Sequence, residues 1–490
     1  MARPYVHFGR LTRRRRRAAD LVIQGIPMRH TSKPVARDFL QPLVAAAAFF
    51  FAGSAVGADI GEIYDEALDK DPVLASARAN NAIRKEQVTI ARSQFLPSVN
   101  AQAGRSKGSS ENDLVDMRGN PTPERNYTSQ NWGAGVSQTV LDMGVWFGYR
   151  GAQARARQAD SDLETAAQTL IIRVATAYLN VLTRQAGLES AVAAEEAVSR
   201  QLEQVQQRFD VGLEAITGVL ESKAAFDQAV ETRIQAESDL RISFEALRTL
   251  TGVAYGEIDG IVADLPIVNP MPNDEEEWVR TAMATSHQIR AAEEALKGAE
   301  ADLKNAMSAR LPIIRASASY GSNSGESSVS GFVLPDQGTS TSKSYSVNLS
   351  MPLFQGLRLP SGVRQSRYAL EVSRQSLIQQ ELTVSEEVRT RFLTVVTDVV
   401  RVAARGEAIK SAEAALEATQ TGYEVGTRNI VDVLNAQRQL FASQFSYQQS
   451  RYNYVLNMLR LKQSAGTLSA MDIDRLNGQM DSANPVQRSP

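Results

Sequence analysis

Side chains that catalyse reactions or bind metals are scarce in this sequence of 490 residues. It has no cysteine and only three histidines, His7, His30 and His287. The lack of cysteine excludes disulfides, thiolate metal sites and thiol nucleophiles. His7 and His30 lie in a segment that has the pattern of a removable leader, so the mature chain is expected to have one histidine, which is too few for a histidine metal site or proton relay. A lone Ser-x-x-Lys pattern, Ser340 to Lys343, lies in a Ser/Gly-rich stretch without the companion motifs of a catalytic serine. We therefore expect neither an enzyme nor a bound cofactor.

The first 58 residues have the pattern of an export leader. Basic residues precede an apolar core at 43–51, and a run of small residues follows it as far as Ala58. This is the order of the n-region, h-region and cleavage site of an exported protein, so cleavage is expected near Ala58. Five arginines occupy 13–17, before the apolar core, and a start at Met28 would give a leader of more ordinary length.

The charge that remains without the leader excludes one broad class of partner. Residues 59–490 carry 43 basic and 53 acidic side chains, which gives a net charge of −10. Such a chain repels polyanions. We therefore expect no nucleic-acid partner.

One stretch of the sequence occurs twice at a constant offset of 214 residues. RFDVGLEAITGVLESKAAF at 208–226 matches GYEVGTRNIVDVLNAQRQL at 422–440 in the spacing of its aromatic, glycine and aliphatic positions. Gly212 and Gly426 coincide, and the flanking apolar residues have the spacing of a turn between two helices. The chain is therefore predicted to be a duplicated unit with two equivalent turns, which favours a symmetrical assembly over a single catalytic cleft.

No segment after the leader has the roughly 20 apolar residues that a membrane-spanning helix needs. Four segments instead alternate apolar and polar residues over the length of a strand that crosses an outer membrane. They are 98–104, 132–140, 313–320 and 345–353, and the polar segments 106–130 and 321–343 are predicted to be the loops between them. Periodicity alone is equally consistent with two hairpins in a soluble domain.

The number of strands decides what a membrane-spanning sheet would require. Four strands cannot close a barrel, and an open sheet edge in hydrocarbon leaves backbone groups unpaired at several kcal/mol each. Several chains would therefore have to share one barrel. Eight strands leave an interior filled by side chains, whereas twelve or more leave a conduit, so a trimer is the smallest assembly expected to form an open channel.

Most of the remaining sequence is predicted to form unusually long helices. Apolar residues recur at helical spacing over 146–209 without a proline, and a continuous helix of this length would reach roughly 95 Å. A second long helix is predicted over 364–422, and return helices are predicted over 216–250 and 430–464. An ordinary coiled-coil stalk explains the helical pattern equally well.

These segments together resemble the TolC-like outer-membrane channels of bacterial efflux and type I secretion systems. The resemblance covers about 59–476 and rests on DIGEIYDEALDKDPVLASARA near its start, ARSQFLPSV, ATAYLNVL, the two repeat copies, and RYNYVLNMLRLKQSAGTLSAMD near its end. It implies an α+β membrane protein that is a homotrimer in the outer membrane of a Gram-negative bacterium. Each chain would contribute four strands to a shared twelve-stranded β-barrel, continuous with a trimeric α-helical barrel that crosses the periplasm.

The resemblance also implies partners and site residues at the two turns. The partners would be outer-membrane lipid, a periplasmic adaptor protein and an inner-membrane pump of the RND, ABC or MFS type. The residues that would face the adaptor are Val211, Gly212, Leu213, Val425, Gly426 and Thr427. For the two glycines, turn geometry alone is an equally good explanation, because a tight turn between helices often needs a positive φ. The inner gate of the family maps onto Tyr423, Arg428 and Asp432.

A threefold ring of Asp432 carboxylates would attract cations and repel anions. Two positions depart from the family pattern. Asn435 stands where the family has a second ring acid, and Gly218 stands where it has the acid that partners the gate tyrosine and arginine. Because an amide carries no charge and glycine has no side chain, we expect a less acidic constriction and fewer closing contacts, with Thr217 left as a hydroxyl partner for Arg428.

The predicted organisation is a leader at 1–58, a first repeat at 59–270, a second repeat at 271–476 and a polar, disordered tail at 477–490. The expected function is that of the exit duct of a tripartite efflux or type I secretion system, which conducts small molecules or polypeptides passively. The alternative is a trimeric coiled-coil surface protein without channel activity.

Overall fold

A computed structural model describes residues 57–110, 125–262, 264–329, 332–333 and 338–488. The predicted leader lies outside these ranges, except for Gly57 and Ala58. The disordered tail is predicted for 477–490, and all but the last two of its residues are described.

Two helices, a pair of long strands, two long helices and a final strand follow one another in the same order in both halves of the described chain, and the second half adds one short strand and one short helix. The first half contains α1 (Ile60–Lys70), α2 (Pro72–Ser93), β1 (Ser98–Ser110), β2 (Arg125–Leu141), α3 (Met143–Asp210), α4 (Ile216–Thr251) and β3 (Glu257–Ile261). The second half contains α5 (Glu275–Thr285), α6 (His287–Ser308), β4 (Ile313–Val329), β5 (Phe332–Val333), β6 (Thr339–Ser350), α7 (Arg358–Glu424), α8 (Ile430–Ser464), α9 (Ala470–Asn477) and β7 (Met480–Gln487). The duplication inferred from the sequence is therefore present in the fold. The boundary between the repeats at 270/271 stays a prediction.

The four long helices have bounds close to those predicted. α3 and α7 extend the predicted segments 146–209 and 364–422 by a few residues at each end, and the return helices α4 and α8 match 216–250 and 430–464. Polar caps fix two of the starts, because each accepts a backbone N–H that the first helical turn leaves unpaired. Asp142 accepts from the N–H of Gly144 at 2.8 Å, and Asn429 accepts from the N–H of Asp432 at 2.9 Å.

The four long strands form one antiparallel sheet in the order β1–β2–β4–β6, and the short β5 also pairs with β4. The strands are longer than predicted. Large parts of the segments 106–130 and 321–343, predicted to be loops, belong to strands instead. Their serines and glycines pair across the sheet, as where the hydroxyl oxygens of Ser106 and Ser129 lie 2.7 Å apart. The backbone ladder supplies the hydrogen bonds whatever the side chains are, so a polar composition did not prevent strand formation.

Across the described ranges, no helix combines the length and the apolar character that crossing a membrane requires. β6 is exposed along its whole length, with Tyr345, Val347 and Leu349 on one face and serines on the other. This alternation is the one expected where one face of a strand meets an apolar environment.

Among the residues that the structure describes, two hydrophobic clusters hold the helices together. The larger joins α1, α3, α4, α7, α8 and α9, and includes the fully buried Tyr178, whose hydroxyl donates to the backbone oxygen of Asp259 at 2.7 Å. The smaller lies near the two turns and consists of Val198, Val205, Val219, Tyr423, Ile430, Val433 and Leu434. Because these residues come from all four long helices, the smaller cluster holds the ends of the two helical hairpins against each other.

The prediction of a disordered tail is wrong for most of its length. β7 pairs with β3 in a small antiparallel sheet, with Ile258 opposite Val486, and both side chains are buried. The N–H of Arg488 donates to the backbone oxygen of Gly256 at 2.7 Å, and its guanidinium donates to Glu245 at 2.7 Å. The tail is ordered by a strand partner that lies more than 200 residues earlier in the sequence, which its local composition does not indicate.

Candidate functional site

The two helical turns have the same backbone geometry. We call residues 211–213 the first turn and residues 425–427 the second turn. In the first, the N–H of Gly212 donates to Phe209 at 2.9 Å and that of Leu213 donates to Arg208 at 2.8 Å. In the second, the N–H of Gly426 donates to Tyr423 at 3.1 Å and that of Thr427 donates to Gly422 at 2.8 Å. Both pairs of bonds are the Schellman pattern that closes a helix C-terminus.

Glycine is required in both turns by the backbone conformation. Gly212 has a φ of +78° and Gly426 a φ of +79°, in the region that residues with a Cβ rarely adopt. An added Cβ at either position would meet no atom within 4 Å. The glycines therefore supply a positive φ rather than relief from crowding, and the space around them is open.

Apolar side chains point outward from both turns. Val211, Leu213 and Val425 are 70%, 69% and 69% exposed. In the second turn Thr427 takes the place of the leucine, and its hydroxyl donates to the backbone oxygen of Gly422 at 3.0 Å. Each turn thus presents a small apolar surface beside an accessible backbone.

Tyr423 connects the second helical hairpin to the first turn. It is only 5% exposed, and its hydroxyl donates to Oε2 of Glu214 at 2.7 Å. The guanidinium of Arg208 lies 5.0 Å from the centre of the Tyr423 ring, and its Nε is 4.0 Å from Oε2 of Glu214. We call Arg208, Glu214 and Tyr423 the tip cluster. It joins the C-terminal end of α7 to residues on either side of the first turn.

Burial and charge both affect the tyrosine of the tip cluster. Burial, together with its hydrogen bond to the Glu214 carboxylate and that group's negative charge, raises the pKa of Tyr423 to about 12, although the nearby Arg208 acts in the opposite direction. The hydroxyl is therefore protonated at neutral pH and remains a donor. A hydrogen bond to a charged acceptor contributes about 1.5–3 kcal/mol.

Gly218 provides the space that Glu214 occupies. An added Cβ at this buried position would lie 2.9 Å from Oε1 of Glu214 and 3.2 Å from its Cδ. The sequence led us to expect that Gly218 leaves Tyr423 without an acidic partner, and in the structure that partner is Glu214. Glu214 was not among the residues predicted from the sequence. The signal that could have found it is its place four residues before Gly218, about one helical turn away.

Arg428 and Asp432 lie outside the tip cluster. The side chain of Arg428 is 62% exposed, and its Nη1 is 3.8 Å from Oδ2 of Asp432. The stem of Arg428 crosses Gly422, where an added Cβ would come within 2.7 Å of its Cγ. Thr217 is exposed, and in the described part of the chain no hydrogen bond joins it to Arg428.

Asn435 is exposed one turn after Asp432 and accepts a hydrogen bond from Arg438 at 3.2 Å. The structure of one chain thus separates the predicted gate residues into two groups. Tyr423 and Gly218 are buried between the two hairpins, whereas Thr217, Arg428, Asp432 and Asn435 lie on the surface, Asp432 being partly covered.

The Ser-x-x-Lys pattern does not form a catalytic pair. Ser340 and Lys343 both lie on β6, opposite Asn323 and Tyr320. Because residues three apart on a strand point to opposite faces, the two side chains diverge. Among the described residues there is also no cluster of acidic or histidine side chains suited to hold a metal ion.

A family model for outer membrane efflux proteins matches residues 63–253 and 278–467, one segment in each half of the chain. The chain belongs to the outer membrane efflux protein family. The outer membrane protein TolC of Vibrio cholerae is 34% identical over 448 residues, which covers 89% of this chain and 98% of that protein. The alkaline protease secretion protein AprF of Pseudomonas aeruginosa is 25% identical over 418 residues, which covers 84% of this chain and 85% of that protein.

A crystal structure of the channel protein CusC has the same fold, with a TM-score of 0.70 at 18% identity, over 88% of this chain and 99% of that one. Like other outer membrane efflux proteins, the chain is located in the Gram-negative outer membrane and extends into the periplasm. Members of the family form the outer-membrane exit duct of efflux and type I secretion systems. These relatives are channel and secretion proteins rather than enzymes.

Proposed function

We propose that this outer membrane efflux protein is a homotrimeric exit duct whose periplasmic end is held closed by the tip cluster. It conducts its cargo passively and has no catalytic residue. The observation that carries the proposal is the 2.7 Å hydrogen bond from Tyr423 to Glu214, because it joins two separate helical hairpins at their ends. A closed end that is fastened between hairpins can open when they move apart.

The four long strands of the sheet support the trimer. In the described ranges β1 and β6 each pair with one neighbour only, so each leaves a row of backbone groups unpaired at an edge of the sheet. Pairing β1 of one chain with β6 of the next removes those edges, which would cost several kcal/mol per unpaired group in hydrocarbon. Three chains give a twelve-stranded barrel, wide enough to leave a conduit.

The accessible residues Asp432 and Asn435 support a charged constriction. Asp432 and Asn435 lie on one face of α8, three residues apart, and remain accessible in the single chain. Around a threefold axis, Asp432 would form a ring of three carboxylates and Asn435 a ring of three neutral amides. We infer a cation-attracting constriction that is less acidic than one with two acidic rings.

The exposed turns support docking of a partner. Val211 and Leu213 of the first turn and Val425 of the second are large apolar side chains in water, and such exposure at a protein tip is typical of an interaction surface. We propose that a periplasmic adaptor binds Val211, Gly212, Leu213, Val425, Gly426 and Thr427. The adaptor links the duct to an inner-membrane pump, which supplies the energy for transport. The name of the relative AprF makes secreted polypeptides, besides small molecules, a cargo class to test.

Single-channel recording tests the proposal. Purified protein in a planar bilayer should conduct weakly at rest, and Tyr423→Phe should raise the resting conductance because it deletes only the hydroxyl that bonds Glu214. Tyr368→Phe, which removes a hydroxyl from an exposed tyrosine more than 50 residues earlier on α7, is the matched control and should behave like the parent. An electrically silent protein would contradict the duct, whereas a conducting protein with no response to Tyr423→Phe would contradict only the gate.

A further inference from the structure

One oxygen of the Asp259 carboxyl group, Oδ1, is buried and has no hydrogen-bond donor among the described residues. Asp259 lies in β3 and is only 5% exposed, and its Oδ1 accepts no hydrogen bond from the described residues. Two more buried oxygens in this part of the fold, Oε1 of Glu257 and Oδ1 of Asn477, also lack a donor there. Because a buried acceptor without a donor costs about 1–3 kcal/mol, and more when it is charged, this region is short of donors.

The charges around Asp259 are all of one sign. The groups that influence its carboxyl are Asp59 and Glu62 at the start of α1, Glu257 in its own strand and Asp481 in β7. Burial, and then these four acids, raise the pKa of Asp259. A cation would relieve both the burial and the repulsion. The described residues hold no group of acidic or histidine side chains arranged to bind a metal ion.

The chain that precedes α1 runs directly beside this carboxyl. The N–H of Ala58 donates to the backbone oxygen of Glu257 at 3.2 Å, and the N–H of Asp259 donates to the oxygen of Ala58 at 3.2 Å. These two bonds make Ala58 a bridge partner of Ile258. A Cβ on Gly57 would lie 2.6 Å from Oδ1 of Asp259, so the backbone at Gly57 and Ala58 is adjacent to the unpaired oxygen.

The backbone hydrogen bonds between Ala58 and β3 help to decide which cleavage site of the leader is compatible with the fold. The sequence predicts cleavage near Ala58, and leader peptidases require small residues at positions −3 and −1. Cleavage after Ala58 would discard a residue that makes two backbone hydrogen bonds with β3. Cleavage after Gly57 keeps Ala58 and places Ala55 at −3 and Gly57 at −1. The second site satisfies both the peptidase and the fold.

We propose that the leader is removed between Gly57 and Ala58, and that the α-ammonium group of Ala58 then pairs with the carboxylate of Asp259. A leader peptidase hydrolyses the bond between the Gly57 carbonyl carbon and the Ala58 nitrogen. Water supplies a hydroxyl to the carbonyl carbon and a proton to the nitrogen, and the amine takes a second proton from solvent. A neutral amide with one donor becomes a cation with three donors, close to the unpaired Oδ1 of Asp259.

Processing thereby completes the junction of α1, β3 and β7. In the precursor, the nitrogen of Ala58 can donate only its single bond to Glu257. In the mature chain, one hydrogen of the ammonium group retains that bond, and the others are free for Oδ1 of Asp259. The proposal rests on export of the chain and is independent of the gate at the turns.

Mass spectrometry gives the first test. Mature protein purified from the outer membrane should have the intact mass and the N-terminal peptide of a chain that begins at Ala58. A chain that begins at Asp59 would lack Ala58, which forms the bridge with β3. A chain that begins at Val56 or Gly57 would have its α-ammonium group on a residue other than Ala58. Any of these three results would overturn the proposal.

Reactivity of the N-terminus tests the ion pair. An ordinary α-amino group has a pKa of about 7.7–8.0, and a buried carboxylate partner raises it. Reductive dimethylation of the mature protein, followed by mass spectrometry, should therefore reach half of its maximal rate about one pH unit or more above 8. In Asp259→Asn the midpoint should return to about 8, and in the control Asp69→Asn, which removes an exposed acid at the other end of α1, it should stay near the parent value. A parent midpoint at about 8 would overturn the pairing even if Asp259→Asn failed to fold.

Addition of Ca²⁺ distinguishes pairing of Asp259 with the α-ammonium group from binding of a metal ion. Millimolar Ca²⁺ should leave the thermal unfolding of the mature protein unchanged. Stabilisation by Ca²⁺ that Asp259→Asn abolishes would assign the site to a metal ion and overturn the proposal.

Discussion

The two helical turns of this protein have the same backbone conformation, but the side chains around them differ. Gly212 and Gly426 have φ values within 1° of each other, and each closes its helix with the same two hydrogen bonds. The side chains around them are not equivalent. At the offset of the repeat, Arg208 corresponds to Gly422, Glu214 to Arg428, and Gly218 to Asp432.

The side-chain differences between the two turns explain how one copy of a duplicated turn can bind the other copy in the same chain. Gly218 opens space for Glu214 beside the first turn, and Gly422 opens space for Arg428 beside the second. Only the second copy has a hydroxyl on the shared aromatic position, where Tyr423 corresponds to Phe209. The acid of one copy and the tyrosine of the other can therefore meet, and they fasten the two hairpins together without any change of backbone.

The largest expected effect comes from removal of the acid. Glu214→Ala leaves the buried Tyr423 hydroxyl without an acceptor and Arg208 without its carboxylate, which costs about 2–3 kcal/mol of closed-state stability. Resting conductance in a planar bilayer should rise strongly. Glu221→Ala, an exposed acid on α4, is the matched control and should leave conductance unchanged. A closed channel in Glu214→Ala would mean that the two turns are not fastened through this residue.

The turn glycines should respond equally, because their backbones match. Gly212→Ala and Gly426→Ala each force a Cβ into a positive φ, at a cost of about 1–2 kcal/mol. Chemical denaturation should detect a similar loss of unfolding free energy in both. Gly148→Ala, within helix α3 and with open space around it, should instead be neutral or stabilising by up to about 1 kcal/mol. Clearly unequal losses of unfolding free energy in the two variants would show that the two turns do not need glycine to the same extent.

The two space-making glycines should respond unequally. In Gly218→Ala the new Cβ displaces Oε1 of Glu214 and weakens the tip cluster by about 1 kcal/mol, so resting conductance should increase modestly. In Gly422→Ala the new Cβ displaces the exposed Arg428, and resting conductance should change less. The reverse order would show that Arg428, rather than Glu214, dominates closure.

The smallest effect on stability is expected at the exposed pair. Asp432→Asn removes an ion pair that is accessible to water, which costs about 0–1 kcal/mol. Its effect should appear in ion selectivity, because loss of three symmetry-related carboxylates weakens block by multivalent cations. Glu424→Gln removes an exposed acid from the end of α7 and should retain the block. Unchanged block in Asp432→Asn would remove this residue from the constriction.

Sequence patterns predicted the helical part of the fold well and the contacts between segments poorly. The bounds of α8 were predicted to the residue, because continuous helical periodicity is a local signal. In the structure, Asn429 caps the start of this helix. β1 and β4 extend well beyond the predicted strands, because their serines and glycines resemble a loop until a neighbouring strand pairs with them. β7 was missed for the same reason, since the burial of Val486 depends on β3.

In the candidate site too, local features were predicted from the sequence and contacts between distant segments were not. The positions of the two turns and their glycines followed from the repeat alone. The partner of Tyr423 did not, because its contact with Glu214 joins residues 209 positions apart and neither residue reveals the other. An acid shifted by one helical turn fills the same space as the one expected at Gly218, which only three-dimensional packing can show.

A double-mutant cycle on Tyr423 and Glu214 measures directly whether the two turns hold each other closed. The free-energy difference between closed and open channels would be obtained from single-channel recordings of the parent, Tyr423→Phe, Glu214→Gln and the double variant. If the hydrogen bond closes the duct, the double variant should shift this difference about as much as either single variant, with a coupling of about 1–2 kcal/mol. Shifts that simply add would show that the two residues act independently and that the duct is closed by other contacts.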